Sequence, residues 1–217
     1  MKKLFFAVSA LAALALLAPS TGFAQVDPGL HQFDNVVGMF TTADGNGETS
    51  TNQMSTPVDV YVVLLRPAES VGGERYATIN AFEFTLQIDP APQGQIFKLK
   101  DDVPPGSVDV GAIKDFNNGT LEYIVGVSDS SPVVVTDGAA VLVSYTFLNN
   151  SVGGFDFYIE PVSIPSIADN MAFQSVAGEL RTMWPASDDW ALPIFSFNGE
   201  AVPVDEASFG SVKALFC

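Results

Sequence analysis

Nearly every segment after Gln25 alternates apolar and polar positions with a period of two, the signature of β-strands that bury one face. The clearest run is residues 79–89. Phe82, Phe84, Leu86 and Ile88 fall on one side of it, and Ala81, Glu83, Thr85 and Gln87 on the other. An antiparallel strand with its second face in solvent reads this way. Pro90 ends the run, because proline has no N–H to give to a ladder. Residues 36–42 form a shorter first strand, and 58–66 are β-branched and aliphatic enough for a central one.

Further runs follow at 95–100 and 107–114, separated by the turn formers Pro104-Pro105-Gly106. Asn117-Asn118-Gly119 favours positive φ and predicts a hairpin turn into a strand carrying Leu121, Tyr123, Val125 and Val127 on one face. Residues 139–148 place Val141, Val143, Tyr145 and Phe147 together, and Gly153-Gly154 turns the chain into a last clear strand at 155–160. The pattern therefore predicts an all-β, antiparallel β-sandwich of the jelly-roll kind, with about eight or nine strands. Residues 25–33 read as a leader, 43–56 as a polar loop, and 161–204 as a Pro-rich irregular wrap of short strands. Phe209, Val212, Lys213 and Phe216 recur at helical spacing, so 205–217 reads as a tail or short C-terminal helix.

Residues 57–167 resemble the cohesin-like β-sandwich modules of secreted bacterial proteins. Three stretches carry the resemblance. Residues 58–64 (Val-Asp-Val-Tyr-Val-Val-Leu) look like an early strand of such modules. Residues 79–89 are similar to their internal strand ending in Asp, and 136–147, which open Thr-Asp-Gly, to a late turn, Gly and strand. The resemblance implies a jelly-roll sandwich. In cohesins proper, a flat sheet face binds a calcium-containing dockerin module. That role is not carried onto particular residues here, since no recognition motif of the family is matched.

The first 24 residues alter the picture, because they read as an address. Lys2 and Lys3 precede an apolar run over residues 4–18, and Phe23-Ala24 offers a small residue before Gln25, as in a secretory signal peptide cleaved near Ala24. The run is shorter than the roughly 20 residues a membrane span needs, and no later segment is longer, so the mature chain is expected to have no membrane span. One domain over 25–204 is long enough to hold a sizeable core. The formal charge is −16, and loss of Lys2 and Lys3 makes it more negative by two. Such a surface repels nucleic acid and anionic membranes. Cys217 is the single cysteine and the last residue, so an intramolecular disulfide is excluded and the thiol is either free or an intermolecular link.

Candidate chemistry is sparse. Asp44, Asn46 and Glu48 alternate in a Gly-rich loop and could offer oxygens to calcium, yet Thr49 and Ser55 stand where an EF-hand needs Gly and Glu. Trp184 and Trp190 flank a Pro-Ala-Ser-Asp-Asp turn; exposed and coplanar, they would suit sugar rings, and buried, they would anchor the segment. His31, the single histidine, has no companion motif for a triad or a zinc site. The adjacent pairs Asp101-Asp102, Asp188-Asp189 and Asp205-Glu206 do not make a glycosidase pair, which comes from separated elements. Asn118 and Asn149 open sequons that serve first as turns. The reading is a secreted, non-catalytic sandwich with a binding or scaffolding role toward a protein or a cell surface. A carbohydrate-binding module is the alternative, and a secreted glycoside hydrolase comes third.

Overall fold

The computed structural model describes residues 34–70 and 72–199. The expected signal peptide, His31, the terminal helix and Cys217 lie outside the described residues. Within them the strands are β1 (Val36–Phe40), β2 (Ser50–Thr51), β3 (Pro57–Leu65), β4 (Thr78–Asp89), β5 (Ile96–Asp102), β6 (Val108–Asp109), β7 (Lys114–Asp115), β8 (Thr120–Gly126), β9 (Val133–Val134), β10 (Ala139–Asn149), β11 (Phe155–Glu160), β12 (Met171–Ser175), β13 (Leu180–Pro185) and β14 (Phe195–Phe197). One hydrogen-bonded path runs β2-β14-β11-β4-β12-β13-β1-β3-β10-β5. β8 lines the other side of β4, β9 pairs with the start of β4, and β6 and β7 lie outside β8.

The path folds over into two layers, because strands remote along it meet through their side chains. Phe147 of β10 packs on Phe157 of β11 with ring centroids 5.7 Å apart, and on Phe197 of β14 at 5.8 Å. Tyr145 of β10 meets Tyr123 of β8 edge-on at 6.4 Å. One apolar core joins both layers and includes Phe82, Phe84, Leu86 and Ile88, the face expected to be buried. A polar link crosses this core: the Tyr145 hydroxyl donates to that of Tyr123 (2.7 Å), which donates to the Asp101 carboxylate (3.0 Å). β13 joins the layers through the backbone. Its residues 180–183 pair antiparallel with β12, while Trp184 and Pro185 pair parallel with Val36 and Val37 of β1.

The all-β sandwich is as expected, but the strand count is higher. Residues 107–114 form two two-residue strands rather than one run, since Gly111 approaches β8 so closely that a Cβ there would meet the Glu122 carbonyl oxygen at 2.1 Å. The segment beyond 161 is not merely a wrap: β12 and β14 extend the β4 layer, and β13 joins the two layers. Its polar and Pro-rich sequence hides strands whose apolar residues, such as Phe173, Phe195 and Phe197, are fully used by the core. The turn at 117–119 connects the paired strands β7 and β8, as predicted, through a short 3-10 turn closed by Gly119 at φ 83°. A side chain at that position would also strike the Ile88 carbonyl oxygen.

Candidate functional site

The outer face of the β4 layer departs most from the alternation rule. Glu83 and Thr85 fall on the side expected to meet solvent, yet they are only 6% and 5% exposed. On β8 the outward Glu122 is 1% exposed. The cause is a strap, residues 161–167, that leaves β11 and crosses this face before β12 begins. The Ser163 N–H and hydroxyl donate to Glu122 Oε1 at 2.8 and 2.6 Å, and the Ala112 N–H donates to Oε2 at 2.8 Å. The Ser166 N–H and hydroxyl donate to Glu83 Oε1 and Oε2 at 2.6 and 2.8 Å. Each carboxylate is thus held by neutral donors, the arrangement that makes burial of a charged acceptor tolerable. The Ser163 hydroxyl, followed by the N–H groups of Ser163 and Ala112, holds the Glu122 carboxyl below the usual glutamate value despite its burial.

Beside the strap the same face opens into a shallow trough of about 470 Å3. Register fixes its floor: Glu83 lies directly between Ile124 of β8 and Ala172 of β12. Val108 and Val110 border it from the β6 side and Leu180 from β13. These three are 66%, 66% and 42% exposed, and Ile164 on the strap is 83% exposed. The surface offers apolar contact on a rigid sheet, with its two nearby carboxylates already occupied. It holds no converging acid, base and nucleophile.

The residues singled out in the sequence sit elsewhere. Asp44 is exposed, and its Oδ1 accepts from the Thr42 hydroxyl (2.5 Å) and the Asn46 N–H (3.1 Å), which closes a turn and keeps the carboxyl below its ordinary range. The backbone of Glu48 pairs with Thr41 across the same loop. Among the described residues, no group of three or more His, Cys, Asp and Glu side chains is placed to hold a metal ion. Trp184 and Trp190 do come together, with centroids 6.2 Å apart, but their planes are inclined by 53°. Trp184 is 48% exposed, whereas Trp190 is half-buried against the core. They make no single flat platform. Of the acidic pairs, Asp101 takes the Tyr123 hydroxyl and Lys98, while Asp102 pairs outward with Lys100. Asn149 is fully buried, and its side-chain oxygen caps the Ser151 N–H.

Glu83, Glu122 and the two serines were not legible as a site. Glu83 sits in a regular alternation, and the serines sit in a segment without periodicity. No signal short of the strap's path brings them together.

No family model matches the sequence, and no curated protein matches it. Solved structures do resemble the fold, and many of them are cohesin modules. The sixth cohesin of scaffoldin B from Acetivibrio cellulolyticus, solved in complex with a Cel5 dockerin mutant, has 17% identity and a TM-score of 0.44, covering 70% of this chain and 93% of its own. The second type II cohesin module of the adaptor scaffoldin ScaA from the same organism has 9% identity and a TM-score of 0.48, covering 76% and 96%. A non-cellulosomal cohesin from the archaeon Archaeoglobus fulgidus has 6% identity and a TM-score of 0.41, covering 70% and 85%. The likeness to cohesin modules is one of fold.

Proposed function

We propose that the chain is an exported, non-catalytic β-sandwich that docks another protein on the outer face of its β4 layer. The observation that supports this reading is the apolar surface there, where Val108, Val110 and Leu180 stand exposed around one trough. Contiguous exposed apolar surface on a rigid sheet marks an interaction site more often than a solvated face. The formal charge of −16 sets the sign of the partner, which is neutral or basic rather than polyanionic.

The test uses the immobilised chain as bait for culture-supernatant proteins, beside Val110→Asp and Leu180→Asp variants whose melting temperature is checked first. The wild type retains a partner that both variants lose. Equal retention by the variants, or none by the wild type, overturns the reading. A glycan-binding role stands second, supported by the half-exposed Trp184 alone. Unchanged glycan-array binding after Trp184→Ala removes it.

A further inference from the structure

A second surface feature is independent of the docking face. Where β5 forms the edge of one layer and β9 prolongs the edge of the other, the gap between the layers opens into a cleft of about 740 Å3. That volume lies within the range of roughly 300–1,000 Å3 typical of small-molecule sites. Its floor is the core itself, since Leu142 and Val133 line it and are 0% and 7% exposed. Pro104 and Pro132 stiffen two of its walls.

The rim is anionic. Asp44 comes from the loop after β1, Asp102 from the end of β5 and Asp137 from the turn before β10, and all three are exposed. No Lys or Arg lines the cleft, although Lys100 reaches Asp102 from beside it. Asp44 is kept ionised by the Thr42 hydroxyl and the Asn46 N–H. The three carboxylates do not form a group able to hold one metal ion. The complement to an apolar floor under a dispersed negative rim is a molecule: a positive charge on an apolar body.

We propose that this cleft binds a small organic cation, its apolar part in the gap between the layers and its ammonium group at the rim with Asp44 and Asp137. An apolar group gains by leaving water for the apolar wall of the cleft, where Val134 is 62% exposed beside the buried Val133 and Leu142. The ammonium gains from carboxylates at a solvent-screened distance and stays hydrated, so no charge is buried unpaired.

The probe is 4-phenylbutylammonium, with 4-phenylbutanol as its uncharged counterpart, titrated calorimetrically into the full chain at low salt. Methyl resonances of Val133 and Leu142 report the location. The cation is expected to bind about tenfold tighter than the alcohol and to shift both methyls, an advantage that shrinks with added salt. Asp44→Asn with Asp137→Asn, both on exposed turns, brings the two affinities together. The proposal is overturned if neither compound binds, if they bind equally to the wild type, if the double variant keeps the preference, or if the methyls do not move. Each of these outcomes leaves the docking face untouched, since no residue of the cleft borders the trough.

Discussion

β3 and β4 present the same alternation in sequence and meet opposite fates on their outer sides. At the start of β3 the rule holds: Pro57 and Asp59 are exposed beside the buried Val58 and Val60, and Asp59 takes a hydrogen bond from the partly buried Thr146 of β10. Along β4 the outward Glu83 and Thr85 are buried nearly as completely as the inward phenylalanines nearby. Alternation reports which side of a sheet a residue takes, not whether water reaches it. Water is excluded from β4 by a strap that lies about eighty residues further along the chain than Glu83. The upper half of β3 shows a second way to lose solvent. Val63 and Leu65 are covered by a separate apolar cluster with Val36, Phe40, Ala139 and Ala186.

The largest effect is expected in the core that both strands share. Phe157→Ala removes a ring that touches Phe147, Phe195 and Phe197 and should cost about 3–5 kcal/mol in urea unfolding. The contrast itself is tested next. Glu83→Ala strips two donors of the strap from their acceptor and should cost about 1–3 kcal/mol. Asp59→Ala, on the exposed face, should stay within about 0.5 kcal/mol. Hydrogen exchange at Ser163 and Ser166 should quicken in Glu83→Ala and not in Asp59→Ala; similar behaviour of the two variants would break the comparison.

Tyr145→Phe should be milder, about 1 kcal/mol, because it deletes one buried hydrogen bond while keeping the ring. Acid gives the smallest and most specific signal. The Glu122 carboxyl titrates below its ordinary 4.5 in the folded chain. Its contribution is therefore complete above a pH of about 4.5 and is lost as pH falls through the lower folded value. Urea midpoints followed from about pH 6 to pH 3 should decline less steeply in Glu122→Gln than in the wild type.

Period-two patterning is enough to place the sandwich, its inward face on β4, and the β7–β8 hairpin, because each depends on neighbours in sequence. The resemblance of residues 57–167 to cohesins agrees with the fold. β12–β14 were harder to read, since their short runs follow no long alternation and gain their apolar partners only from distant strands. The trough is illegible for the same reason. Its members come from β4, β6, β8, β12 and β13, and no spacing rule links Val108 to Leu180. Trp184 and Trp190 were legible as a pair, but their 53° inclination depends on how β13 turns from one layer into the other.

That crossing strand also imposes an order in time. β1 has two neighbours in its layer, and one of them, at Val36 and Val37, is the pair Trp184 and Pro185. β2 likewise waits for Ser196 and Phe197. A chain emerging N-terminus first cannot complete either pairing until nearly all of the described residues have left the ribosome. Contacts of such long reach make closure slow. The β1–β13 and β2–β14 pairings are therefore among the last contacts that a growing chain can make.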